Sequence, residues 1–555
     1  MNNASHCSTI LSRLLLALSF TTNAMSAETD YSPALPKLEA AIKAEMKAYG
    51  ISGIAVALMD GQRLIHAAGY GEAERDSIFR AGSISKLFNA VAVMQLVEQG
   101  KLSLDGPFAT LPGAVMPVNP FTDGVAVTLR QMLCHRSGIQ REAPVGGYLD
   151  DTQPTLAATC ESVRGCVIVT PPNARTRYSN IVPSLAGEVV ATVCGQSFEK
   201  YQTEHVFGPL GMTHSAWLLK DVPGGKVITS HLRVADGKGG YSHEVTPLFD
   251  LGTIPAGNLF TTAPDLAQFV MMLDAKGVGK IGPVLKPETL AEMCKPQLDP
   301  SGAFGLGFAL GKFCEHKTIG HSGAVFGHST SLLYLPDTGL GVVVLANEDI
   351  VNARVSRLAN LALSLLLELK TGEKPRAPAA PAAAGKLEDY AGPYESESYW
   401  CELSVNGGHL TGNYAGQPCT LTLAGPDVFL LNSRIHDDLP VTFTRAESRI
   451  TSGFIAGPQH FLRAALKRPG IPDEWRRFCG SYGPKFIPLV VHEKWGHLYA
   501  TTENMVDYRL TPVNRHVFLL CPGMYADEHA VFLTHPDGSV HSVNFCNMIL
   551  PRISP

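Results

Sequence analysis

The chain of 555 residues carries 45 Lys+Arg against 50 Asp+Glu, a formal net charge of −5, with 45% hydrophobic and 17% charged residues. That composition is globular and excludes disorder of the whole chain, and the length implies about two to four domains. The slightly acidic balance gives no electrostatic footprint for nucleic acid, and no apolar run is long enough for a spanning helix, so neither nucleic-acid binding nor stable membrane insertion is expected.

At the start, Arg13 precedes the apolar run Leu14–Phe20, and small and polar residues follow from Thr21 to Ala27. This reads as a signal peptide over residues 1–27, cleaved between Ala24 and Ala27, and predicts an exported protein, periplasmic or secreted. Cys7 lies before the apolar run, the wrong place for lipid attachment. Cys160 and Cys166 bracket a short loop and are candidates for a bridge in an oxidising compartment. The other cysteines are scattered singly, without the paired spacing of zinc or redox motifs.

Residues 28–370 mix strands and helices. Ser52–Leu58 and Arg63–Ala68 read as strands around the turn Asp60-Gly61. Ile84–Gln99 reads as a helix, with Leu87, Phe88, Val91, Met94 and Val97 on one stripe and Gly100 as its stop. Ser83 and Lys86 stand three apart at its opening, so their side chains share a face. Gly82 permits a close approach of the chain, and the helix N-terminus places partial positive charge near Ser83. A serine hydroxyl is a poor nucleophile until a base takes its proton. Lysine is that base only if its pKa drops from its free value by roughly three units, which burial or a neighbouring cation supplies. Ser85 adjoins Lys86 in sequence and cannot face it. A helix cap followed by a surface lysine is the bland alternative for the same pattern.

Farther along, Tyr178-Ser179-Asn180 precede a second helix, with Pro183 in its first turn and Gly195 after its last. His321-Ser322-Gly323, followed by Ala324, forms a third polar group at an element boundary; Ala324 breaks the G-x-S-x-G pattern of a nucleophile elbow. His316, His321 and His328 fall across a turn and a hairpin without metal-ligand spacing, and neither metal nor cofactor is expected. His328–Leu335 and Gly341–Ala346 read as paired strands, and Val351–Lys370 as a closing helix.

Residues 371–386 hold prolines and alanines but no large apolar side chain, the composition of a semi-rigid linker. The tail then repeats itself. Tyr390-x-Gly392-x-Tyr394 returns as Phe478-x-Gly480-x-Tyr482, Gly408-His409-Leu410 as Gly496-His497-Leu498, and Val428–Leu431 as Val517–Leu520. Two β-rich modules follow, 387–470 and 471–555, each of a size that closes as a small antiparallel barrel or sandwich. His409 and His497 sit beside turn glycines, where a structural role is expected.

The ordered set Ser83-x-x-Lys86, Tyr178-x-Asn180 and His321-x-Gly323 resembles the β-lactamase-related serine hydrolases, which include class C β-lactamases, penicillin-binding proteins, D-aminopeptidases and several esterases. Thr128–Gly138, Phe207–Met212 and Pro255–Leu259 resemble further landmarks of that family, and the resemblance covers roughly residues 35–370. It implies an α+β catalytic domain over residues 28–370, an antiparallel sheet with flanking helices, followed by the two small antiparallel barrels. It also implies Ser83 as the acylated nucleophile and Lys86 and Tyr178 as the proton-handling pair. Asn180 would hold Lys86 and the substrate amide, and His321 would line the pocket. The backbone N–H groups of Ser83 and Ala324, the latter after Gly323, would form the oxyanion hole.

The departure from the family pattern lies at His321, where penicillin-binding enzymes have a lysine that helps hold a carboxylate. A largely neutral imidazole is a weaker anion anchor. β-Lactam and DD-peptide substrates are thereby demoted, and the layout with two barrels is similar to that of D-aminopeptidases. The expected activity is a peptidase or amidase on small peptides with D- or unusual residues, including linear-microcystin-type substrates. The alternatives are a carboxylesterase or transesterase using the same site and a catalytically silent binding protein. In D-aminopeptidase-like relatives a loop from a β domain limits access to the cleft; here the second module, at Pro522–Glu528, is the expected counterpart.

Overall fold

The computed structural model describes residues 28–121, 126–236, 240–298, 301–374, 385–445, 451–465 and 470–554. The signal-peptide reading over 1–27 and most of the linker therefore lie outside the described residues.

The N-terminal domain is organised by six antiparallel strands: β1 (Gly53–Asp60), β2 (Arg63–Gly71), β3 (Ala309–Phe313), β4 (His316–Val325), β5 (His328–Leu335) and β6 (Leu340–Ala346). Their order is β2-β1-β6-β5-β4-β3, and β1 pairs with β6 in the register Ile54↔Ala346 to Asp60↔Leu340, closing the domain across most of its length. β1 and β6 consist almost wholly of apolar residues because both faces of the sheet are covered. The helices Leu35–Tyr49 and Asn352–Thr371 bury one face through Leu38, Ile42, Leu358, Leu363 and Leu366. A larger core under the other face takes in the helices Ser85–Glu98, Ile181–Cys194 and Ala263–Asp274.

One expectation needs correction here. The Ser85–Glu98 helix is not amphipathic: every residue from Ser85 to Leu96 is buried, because the helices Ile181–Cys194, Ile254–Gly257 and Phe198–Gln202 pack around it. The stripe read from Leu87 to Val97 is only the most apolar part of a helix enclosed all round. Enclosure is what takes Lys86 out of water. The second helix starts after Asn180 and ends on Gly195 in the left-handed region, φ 63°.

Each tail module closes as an eight-stranded antiparallel barrel, from Gly392 to Arg463 and from Gly480 to Ser554. The repeat has a physical cause. Tyr394 donates its hydroxyl to the Tyr390 carbonyl at 2.7 Å, and Tyr482 donates to the Phe478 carbonyl at the same distance. The intervening glycines bend the strand entry at φ 139° and 144°, values that side chains rarely adopt. Gly408 and Gly496 turn the second hairpin of each barrel at φ 77° and 81°. His497 pairs with Glu395 at 2.8 Å and joins the two barrels, whereas His409 is exposed.

Cys160 and Cys166 are both buried as free thiols, so the bridge considered from their spacing is absent; all eleven described cysteines are free. The barrels do not hang from the linker as separate bodies. One apolar cluster runs through both barrel interiors and includes Leu149, Phe249, Val325 and Phe326 of the N-terminal domain. Phe486 of the second barrel meets the rings of Phe249 and Phe326, each at 5.4 Å.

Candidate active site

The turn before the Ser85–Glu98 helix lies against β4. β3 pairs with β4 only as far as Gly320, so from His321 onward that edge is open to the Gly82–Ile84 turn. Two glycines make the approach possible. A Cβ on Gly82, which has φ 56°, would lie 2.8 Å from the Ala324 nitrogen, and one on Gly323 would lie 2.0 Å from the Ala81 oxygen. Thr330 of β5 donates to the same Ala81 carbonyl at 2.9 Å and fixes the turn from behind. Ser85 donates to the Gly82 carbonyl at 2.6 Å and accepts from Leu259 N–H at 3.1 Å, so it is a brace.

Lys86 Nζ has three partners: Ser83 Oγ at 3.0 Å, Asn180 Oδ1 at 2.9 Å and the Ala256 carbonyl at 2.8 Å. The last comes from the Pro255–Leu259 landmark. Asn258, the next but one, is held by Arg80 and by the Leu251 N–H. Burial holds the Lys86 ammonium well below its ordinary range, the nearby Arg141 cation pushes the same way, and Glu142 opposes both. The neutral amine has two N–H donors and one lone pair. Two of its three partners are carbonyl oxygens, which only accept; the third is a hydroxyl, which can donate. The lone pair of neutral Lys86 therefore faces Ser83.

Asn180 is oriented by its other end, where Nδ2 donates to Glu142 Oε1 at 2.5 Å. Tyr178 sits over the same amine, with Lys86 Nζ 4.9 Å from its ring centre. Burial pushes the Tyr178 phenol up to about 12, opposed by a hydrogen bond with Ser83 and by Arg141. Burial thus favours the neutral phenol. His135 packs on this ring at 4.3 Å, which gives the Thr128–Gly138 landmark its place as the wall behind Tyr178.

His321 lies 6.1 Å from the Tyr178 ring. Burial, helped by Lys86, pushes its imidazole down to about 4. Its Nδ1 is 2.5 Å from the Ser322 carbonyl, a partner that can only accept, so the single ring proton sits on Nδ1. Nε2 is then a lone-pair acceptor, buried and without a hydrogen-bond partner. His316 and His328 do not join it. His316 pairs with Asp337 and Glu373, and His328 meets Phe79 edge to face.

Sequence reasoning missed a layer of buried charge behind these groups. Arg141 lies over the Tyr178 ring at 5.6 Å, with Glu142 at 3.4 Å and Glu503 of the second barrel at 3.8 Å. Tyr525 donates to Glu503 at 2.9 Å and also faces Arg141. Arg177 reaches Glu528 and the Ala526 carbonyl, and Arg175 reaches Asp527. The Pro522–Glu528 turn of the second barrel thus lies against the segments that carry Arg141 and Tyr178. The adjacent Arg141-Glu142 pair was the only available signal, and a charged dipeptide reads as solvated surface.

A family model described as Beta-lactamase matches residues 38–366. The chain belongs to the beta-lactamase family. It is 30% identical over 338 residues to Penicillin-binding protein 4 of Amycolatopsis lactamdurans, covering 58% of this chain and 85% of the relative. It is 25% identical over 325 residues to the Unguisins hydrolase ungD' of Aspergillus campestris, covering 55% of this chain and 60% of that protein. The octameric penicillin-binding protein homologue from Pyrococcus abyssi shares the fold, with a TM-score of 0.54 at 24% identity over 77% of this chain and 100% of that one. The α+β catalytic fold and the two terminal barrels expected from the sequence are both present in this one.

Proposed function

We propose that this beta-lactamase family member is an exported serine hydrolase that cleaves amide bonds in small peptides, those with D- or unusual residues included, through an acyl-enzyme on Ser83. The reading is carried by the Lys86 amine, whose two carbonyl partners leave its lone pair for the Ser83 hydroxyl. Lys86 takes the Ser83 proton as the hydroxyl attacks the substrate carbonyl. The N–H groups of Ser83 and Ala324 receive the oxyanion, each donor being worth about 3–4 kcal/mol in such sites. The leaving amine takes its proton from Tyr178, which is reprotonated from Lys86. Water then enters by the reverse sequence and releases the acid. Export rests on the Leu14–Phe20 run behind Arg13.

The preference for amides over esters is supported by His321 Nε2. A buried, unpartnered acceptor beside the reacting groups is satisfied by an N–H of the substrate, which an ester does not offer there. The same lone pair opposes a substrate carboxylate, which places β-lactams and DD-peptides behind peptide amides. Two assays test the reading. A fluorophosphonate probe should label Ser83, and a relative that is catalytically silent would not react. A panel of D-amino-acid amides, short peptides and p-nitrophenyl esters should then show amides turned over with kcat/KM at least comparable to esters; ester-only turnover would make the protein an esterase.

A further inference from the structure

Away from Ser83, a hairpin formed by His231–Ala235 and Tyr241–Val245 stands beside the end of β6. Its register pairs His231 with Val245 and Arg233 with His243, so the two histidines are diagonal neighbours on one face. Their rings stack at 4.9 Å and 24°. The backbone of His231 also bridges the segment after β6: its N–H donates to the Asn347 carbonyl at 3.1 Å, and its carbonyl accepts from Asp349 N–H at 3.0 Å. Glu348, between those two partners, is therefore delivered to the histidine face, and it is only 1% exposed.

We propose that His231, His243 and Glu348 form a three-ligand site for a zinc-class divalent cation, completed by water, which fastens the hairpin to the loop after β6. One potential ligand atom from each of the three lies within 4.8 Å of the others. Tetrahedral zinc with bonds of about 2.0–2.1 Å needs donor atoms roughly 3.3 Å apart, so the widest separation has to close by at most ~1.5 Å. His243 can supply that movement, because its side chain is 44% exposed. Two imidazoles and one carboxylate suit zinc or a neighbouring transition metal, whereas calcium and magnesium take all-oxygen sets.

The surrounding charges are arranged for such an ion. Arg434 of the first barrel donates to Glu348 Oε1 at 2.6 Å and leaves Oε2 directed at His243 Nε2, 2.8 Å away. It thus orients the carboxylate as an outer partner does in known metal sites. Arg233, the other nearby cation, is turned onto the Tyr241 ring at 3.9 Å. Asp349 adds a second buried carboxylate, and its Oδ2 has no hydrogen-bond partner. An ordinary His243–Glu348 ion pair would account for two of the three side chains. It leaves His231 Nδ1 buried without a partner and gives no reason for the second imidazole. The site is structural and does not depend on the catalytic reading above.

The test uses the full-length protein, dialysed against a chelator and titrated with Zn2+ alone by calorimetry and thermal melting. One equivalent should bind and raise the melting temperature. His243→Ala, at an exposed position, should fold and weaken that binding by more than the roughly 10–100-fold seen when an outer partner is lost. His231→Ala should do the same. Co2+ in place of zinc should give the visible bands of tetrahedral nitrogen and oxygen ligation without thiolate-to-metal charge transfer, which separates this site from the free cysteines. No stoichiometric uptake by the wild type, uptake unchanged in His243→Ala, or a thiolate charge-transfer band accompanying that single equivalent would each overturn the proposal. The rate of fluorophosphonate labelling should be the same with and without zinc.

Discussion

Replacing Lys86 by methionine tests the amine as the base while keeping its volume. The structure sets the cost to the fold. Methionine leaves Asn180 Oδ1 and the Ala256 carbonyl without the donor they now share, at about 1–3 kcal/mol for each buried acceptor, or roughly 2–6 together. Against that loss, an ionisable group only 3% exposed no longer has to be desolvated. The variant should fold, with a lowered melting temperature. The cost to chemistry is larger: loss of a positioned general base lowers the rate by about 10²–10⁴. The assay is the second-order rate of fluorophosphonate labelling across pH. In the wild type only neutral Lys86 is competent, and burial lowers its pKa, so the rate should fall as pH drops through that depressed value and level off above it. In the variant this acid limb should vanish along with most of the rate. A labelling rate within about fivefold of wild type, with the limb intact, would refute Lys86 as the base and move the role to Tyr178.

Ser83→Ala should abolish turnover and labelling while leaving the melting temperature near that of wild type; retained activity would point to Ser85 or Ser322. Tyr178→Phe should cost orders of magnitude, and the double variant with Lys86→Met should lose little more than either alone, since the groups act as one unit. Wild-type hydrolysis of nitrocefin should be slow, because His321 presents a lone pair where a carboxylate wants a cation, and His321→Lys should raise penicillin acylation; rapid wild-type hydrolysis would contradict this. Glu528→Gln breaks a buried pair from one side, at about 3–5 kcal/mol, and loosens the second barrel's turn from Arg177. Longer peptides should then be accepted while small p-nitrophenyl esters react nearly as before, and an unchanged substrate range would exclude the turn as a wall of the cleft.

The parts of the site visible in the sequence are those whose chemistry demands a residue type at a short spacing. Ser83 and Lys86 are one helical turn apart, and Asn180 is fixed by the helix it precedes. The barrels were legible because a tyrosine-to-carbonyl hydrogen bond needs a glycine in a particular backbone conformation, and the chain needs it twice. The buried charges were not legible. Arg177 and Glu528 stand 351 positions apart, and each alone resembles a surface residue. Nor did periodicity show that the Ser85–Glu98 helix is enclosed on all sides, since what covers the second face comes from remote segments. His231, His243 and Glu348 had no motif because two of them meet only through hairpin register and the third arrives from the loop after β6.

The contact between the second barrel and the catalytic segments has a consequence for when the protein becomes competent. The chain emerges from its N-terminus, so Ser83, Lys86, Tyr178 and His321 are all made long before Glu503, Tyr525 and Glu528. Until those last residues close the second barrel, Arg141 lacks Glu503, Arg177 lacks Glu528, and Phe326 after β4 lacks Phe486. The polypeptide therefore carries its complete set of reacting groups through most of its synthesis in an unfinished setting. Its final stretch supplies the last side chains packed behind Arg141 and Arg177, and a chain cut short after the first barrel lacks them.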